Sequence, residues 1–205
     1  MSTVSRITER FRQALDYAAT RHATQTRKAS DVPYLAHLLG VCSLVMDHTT
    51  DEDVWIAALL HDAVEDQGGE ATAREIEALF GPRVGSLVRA CTEILAPEDQ
   101  PKIPWLQRKQ QYLKDIALKD ADALLIVAAD KLHNARAVLS DWIRCGDDSY
   151  CKFTTGKLGT QWYYQQVIAE LENNPKSPKG LVNELKDTVE RFAPETIEVT
   201  SLDAL

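Results

Sequence analysis

The stretch VWIAALLHDAVED, residues 54–66, is apolar on nearly every face until it meets one histidine and three acids. A helix that is hydrophobic all round belongs inside a fold, where other elements cover it. Thr50, Asp51 and Asp53 stand ahead of it, supplying a cap and acidic first-turn residues that favour a helix start. The stretch therefore predicts a central helix, and the rest of the chain must supply its neighbours.

Those neighbours also read as helices. Ile7, Phe11, Leu15 and Ala18 share one stripe at helical spacing, which predicts a first helix of about five turns. The period breaks over QTRKASDVPY (25–34), where Pro33 suits a helix start, and the apolar segment LAHLLGVCSLVM follows at 35–46. Gly68 and Gly69 end the central helix. Thr72 and Glu75 then have the spacing of a capping box ahead of REIEALF, and Gly81-Pro82 separates that helix from RVGSLVRACTEIL. PEDQPKIP (97–104) carries three prolines and reads as a loop before WLQRKQQYLKDIAL. The segment ADALLIVAADKLHNARAVLSDWI (121–143) is too long for a buried strand and reads as a helix. Gly146 with Asp147 and Asp148 makes a break. The polar run SYCKFTTGKLGT then precedes a helix QWYYQQVIAELEN, a last helix covers about 178–193, and the remaining residues read as a peripheral tail. The expected fold class is all-α, one helical bundle with no internal linker.

Composition narrows the function classes. A net charge of −8 over 205 residues argues against nucleic-acid binding, which needs a basic face, but leaves a small phosphorylated ligand open. No apolar run approaches the roughly 20 residues of a membrane helix, and the N-terminus lacks the apolar core of a secretion signal. A cytoplasmic protein with no membrane partner is expected. The four cysteines, Cys42, Cys91, Cys145 and Cys151, form no CxxC pair and read as reduced thiols, mostly core filler.

The sextet His61-Asp62-Ala63-Val64-Glu65-Asp66 is the chemically informative feature. Ionised acids are rarely buried without a partner, so three acids and a histidine on a core-type helix call for a cation. His61 and Glu65 are four apart, as are Asp62 and Asp66, so each pair is expected on one helical face. His37 within LAHLLGV and Asp130 within LLIVAADKLHNARAV are polar residues in equally apolar surroundings. Taken singly, His37 also reads as a satisfied core histidine, and Asp62 or Asp130 as a structural acid paired with arginine. Together, two imidazole nitrogens and two carboxylate oxygens suit Mn²⁺, Fe²⁺ or Zn²⁺.

His37, the pair His61-Asp62 and the distant Asp130 follow the H…HD…D order of the HD phosphohydrolase superfamily. The strings TRKASDVPYLAHLLGV, AALLHDAVEDQGG and ADKLHNARAV resemble the hydrolase domains of the RelA/SpoT family and of stand-alone small alarmone hydrolases, over about residues 15–170. The resemblance implies an HD hydrolase domain over 1–195 with a C-terminal tail at 196–205. It implies a metal-dependent 3′-pyrophosphohydrolase that converts (p)ppGpp to GDP or GTP and pyrophosphate. Mn²⁺ would be held by His37, His61, Asp62 and Asp130. Glu65 and Asp66 would serve catalysis, and Arg27, Lys28 and Asn134 would contact the nucleotide.

Two other readings stay open: the same metal chemistry on another nucleotide, such as NADPH or a nucleoside phosphate, or a silent nucleotide-binding regulator. Against the regulator stand the intact His37, His61, Asp62, Glu65, Asp66 and Asp130. One departure from the family pattern is Leu38, where many relatives have proline after the histidine. A stand-alone hydrolase without a synthetase domain is the expectation. Arg108 and Lys109 read as a solvated face, Trp162 to Tyr164 as core, His133 as packing, and His22 and His48 as surface residues.

Overall fold

Helix follows helix in the order that the apolar periods set. The structure, a computed structural model, describes residues 7–94, 101 and 103–197, and it divides into two units, Met1–Leu95 and Ala96–Leu205. Among the described residues no β-strand forms, and the one β-type pairing is an isolated antiparallel bridge between Thr26 and Pro33. No described helix is long and apolar enough to cross a membrane.

The first unit holds α1 (Glu9–Arg21), α2 (Leu35–Met46), α3 (Glu52–Leu60), α4 (Ala63–Asp66), α5 (Gly69–Phe80) and α6 (Pro82–Cys91). Helix α3 is central as its composition requires: Val54 through Leu60 are all buried, against α1, α2 and α6. Helix α1 is shorter than the stripe suggested, 13 residues, because Thr8 takes the cap position and leaves Ile7 outside. The central helix also stops sooner, at Leu60. His61 and Asp62 keep right-handed angles (φ −58°, ψ −32° and φ −95°, ψ −6°) before α4 resumes the helix. The His61 ring claims the Ala58 carbonyl at 2.8 Å, the acceptor that would serve the amide of residue 62 in an unbroken helix.

The capping box at Thr72 and Glu75 does not form. Gly68 and Gly69, at φ 126° and 58°, turn the chain so sharply that α5 starts at Gly69. Thr72 thus lies inside the helix, its hydroxyl donating to the Gln67 carbonyl at 2.8 Å, and Glu75 pairs with Arg21. Gly81, at φ 90°, and Pro82 in the first turn of α6 make the expected corner.

The cap at Asp51 is as read. Its carboxylate accepts from the Asp53 amide at 3.0 Å and from Arg83 at 2.6 Å. The Arg83 hydrogen bond is the main cause that holds this carboxyl below the usual aspartate range. A depressed value means that the contribution is present above the unfolded-state pKa and fades as pH falls through the folded one. Asp51→Ala is expected to lower the unfolding free energy by about 1 kcal/mol at neutral pH. Urea melts across pH should show the gap to wild type closing below about pH 4.

The second unit holds α7 (Trp105–Ile116), α8 (Ala121–Cys145), a 3₁₀ turn (Gly146–Lys152), α9 (Gly156–Asn173) and α10 (Lys179–Glu190). Asp120 caps α8 by accepting from the Ala123 amide at 2.8 Å, and the helix packs against α9, α10 and the 3₁₀ turn. Helix α9 begins at Gly156, inside the run expected to be a polar connector. Trp162, Tyr163 and Tyr164 are buried as expected, with Trp105 against Trp162 at 5.9 Å between ring centroids. The chain past α10 stays tied down as far as Ile197, whose amide donates to Gln165 Oε1 at 2.9 Å. Most of the proline-rich loop at 97–104 and the tail beyond 197 lie outside the described residues.

The cysteines depart from the core-filler reading. Cys42 is buried, and burial pushes its thiol up to about 12. Cys91 is half-buried, while Cys145 at the end of α8 and Cys151 in the 3₁₀ turn are exposed.

Candidate metal centre

Within the first unit, two buried imidazoles and one half-buried carboxylate converge. His37 is the third residue of α2 and fully buried; His61 follows the last residue of α3 and is 2% exposed. The Ala58 carbonyl can only accept, so His61 Nδ1 carries a hydrogen, and in the neutral ring Nε2 then presents its lone pair. That Nε2 lies 3.1 Å from Asp62 Oδ2, and His37 Nε2 lies 3.4 Å from the same oxygen. The ring centroids are 5.2 Å apart, and one ligand atom from each of the three residues falls within 4.8 Å of the others. A lone pair facing a carboxylate oxygen is unfavourable unless a proton or a cation lies between them. Mixed imidazole and carboxylate donors fit a divalent transition metal, and a backbone carbonyl bonded to the rear nitrogen is the usual orienting partner of a metal-binding histidine.

Glu65 and Asp66 lie on α4, next along the chain, and both have exposed surface. Asp66 Oδ2 accepts from Gln25 Nε2 at 2.7 Å. The Asp66 carboxyl nevertheless lies deep enough that burial, helped by the charge of Asp62, raises it above the usual aspartate value. Gln25 is itself held: its Oε1 accepts from Gln67 Nε2 at 2.6 Å and from His22 Nδ1 at 2.7 Å. His22 is therefore no surface residue. It is 2% exposed, because Gln25 and Tyr34 from the loop fold over it. His48 is exposed, as expected.

Arg27 and Lys28 sit on the loop between α1 and α2, with Ala29 at φ 55° beside them. Arg27 is half-buried, its guanidinium 5.7 Å from the centre of the Tyr34 ring, and Lys28 is exposed. Tyr34 escaped the sequence reading, although it stands one helical turn before His37. Its hydroxyl donates to Asp62 Oδ2 at 2.6 Å.

In the second unit, Asp130 lies on α8 and is 7% exposed. Asn134, one turn on, donates to Asp130 Oδ1 at 2.5 Å, and Lys131 Nζ lies 2.8 Å from Oδ2. Burial works against the Lys131 ammonium, but Asp130, Tyr163 and Tyr112 outweigh it and hold the amine well above its ordinary value. A lysine beside an aspartate in an apolar helix was the available signal for this pair. Lys109 is not simply solvated either, since its Nζ lies 4.5 Å from the centre of the Tyr163 ring. His133 is half-buried.

The HD domain family profile matches residues 14–144. The guanosine-3′,5′-bis(diphosphate) 3′-pyrophosphohydrolase MESH1 of Drosophila melanogaster is 39% identical over 130 residues, covering 62% of this chain and 68% of that protein. The GTP pyrophosphokinase rsh of Brucella suis is 30% identical over an alignment of 197 positions that covers 87% of this chain but only 24% of that protein. A solved structure of a metazoan SpoT ortholog, described as hydrolysing ppGpp, superposes with a TM-score of 0.70 at 30% identity, covering 92% of this chain and 97% of the other. The chain belongs to the HD-domain family, among the small alarmone hydrolases related to RelA and SpoT.

Proposed function

We propose that this protein hydrolyses the 3′-pyrophosphate of (p)ppGpp, releasing pyrophosphate and GDP or GTP, with a divalent cation, Mn²⁺, as cofactor. The observation that carries the reading is the convergence of His37, His61 and Asp62 within 4.8 Å. Asp130 is proposed as the fourth ligand from the order of the HD motif, and residues 1–195 as one hydrolase domain with a tail at 196–205. When bound, a divalent ion supplies Lewis acidity toward phosphate oxygens and toward water.

The protein's own groups take the remaining roles. Glu65 and Asp66 orient the attacking water and accept its proton as oxygen bonds to the phosphorus nearest the ribose. The bond from that phosphorus to the 3′ oxygen breaks, and the oxygen regains a proton as pyrophosphate leaves. Arg27 and Lys28 offset phosphate charge that this acidic protein would otherwise repel, and Asn134 contacts the nucleotide. A cytoplasmic protein acting on a small nucleotide, without nucleic-acid partners, fits this chemistry.

The test is a panel of nucleotides with Mn²⁺ supplied. Pyrophosphate release from ppGpp that exceeds phosphate release from NADPH and nucleoside phosphates supports the reading. Preference for one of the others replaces the substrate and keeps the centre.

A further inference from the structure

Tyr34 touches three parts of the candidate site at once. Its hydroxyl donates at 2.6 Å to Asp62 Oδ2, the oxygen that also faces both imidazoles. Its ring lies edge-on to His37, with centroids 5.4 Å apart, and beneath the Arg27 guanidinium at 5.7 Å. The ring also stacks on His22, with 5.5 Å between centroids and 17° between planes.

The ring is thereby fixed in place. His22 is locked by Gln25, Gln25 by Gln67, and the Tyr34 amide donates to the Gln25 carbonyl at 2.9 Å. Asp62 makes no side-chain cap bond to the helix that follows it. It lies just past the end of α3, and 21% of its side chain is exposed. A hydrogen bond from a rigid phenol to a charged oxygen is strong enough to select one orientation of a short carboxylate.

We propose that Tyr34 is a positioning residue for the cation: its hydroxyl holds Asp62 Oδ2 toward His37 and His61. Its ring carries that constraint to the loop bearing Arg27. The inference rests on the metal-centre reading above and adds a residue to it. Groups that orient a ligand typically change metal affinity by about 10–100-fold when lost.

Tyr34→Phe removes the hydroxyl and keeps every ring contact. Titration of the metal-free protein with Mn²⁺, followed by electron paramagnetic resonance, is expected to show about 10–100-fold weaker binding, with activity regained at higher Mn²⁺. Regain by excess metal separates positioning from a general packing fault. Binding within about threefold of wild type, in a protein where Asp62→Ala removes binding, overturns the inference and leaves the centre standing. Wild-type protein that binds no Mn²⁺ overturns both. Should the Phe variant melt lower, the Asp62→Ala background provides a second measurement. There the same exchange leaves the metal-free melting temperature unchanged if the hydroxyl acts through Asp62, and lowers it equally if it does not.

Discussion

Asp62→Ala is expected to cut Mn²⁺-supported hydrolysis of ppGpp by at least about a thousandfold, ~4 kcal/mol of barrier, while the protein stays folded. The size follows from position. Asp62 is the carboxylate of the converging set, and its oxygen lies 3.1 and 3.4 Å from the two imidazole nitrogens. Without the Asp62 charge, two imidazoles and Asp130, the proposed fourth ligand, hold a divalent ion poorly. The fold tolerates the change because Asp62 lies outside both flanking helices and is partly exposed. Steady-state kinetics with a thermal melt of the same sample separates the two effects. A variant that is folded and retains more than a tenth of the activity would remove Asp62 from the centre.

The second large effect falls on stability. Trp162→Ala is expected to cost about 3–5 kcal/mol, because it empties the largest fully buried side chain of the second unit. Trp162 packs against Trp105 of α7, so the loss falls on the contact between α7 and α9. A small domain has roughly 5–15 kcal/mol in all, and the variant should unfold at clearly lower denaturant. A shift below about 1 kcal/mol would show that neighbouring rings refill the space.

The helix inventory was legible because long apolar periods need no tertiary information. LAHLLGVCSLVM became α2 from Leu35 to Met46, and the segment starting at Ala121 became α8. The break at His61 and Asp62 was not legible. Ala63 and Val64 continue the apolar pattern, and nothing local announces that the His61 ring will take a backbone acceptor from its own helix. The glycine pair at 68 and 69 overrode a well-formed capping motif, since a backbone turn sets the helix start before side chains compete for it.

At the candidate centre, the pattern of His37, His61 and Asp62 was readable, and these three come together. The partners around them were not. Gln25, Gln67 and Tyr34 act through hydrogen bonds across more than 20 positions of chain, as in Tyr34 to Asp62 at a separation of 28, and His22 joins them through Gln25. Single residues in polar loops carry no periodic signal for such bonds. Lys131 beside Asp130 was a local signal, but the 2.8 Å contact between them shows only once side-chain directions are known.

If two imidazoles and a carboxylate hold an ion on which turnover depends, pyrophosphate release from ppGpp must follow Mn²⁺ as it is added to purified protein and then chelated. Release that starts with Mn²⁺, stops on chelation and returns with fresh Mn²⁺ is the expected result. Release that continues at full rate in chelator, or none in saturating Mn²⁺, would contradict it.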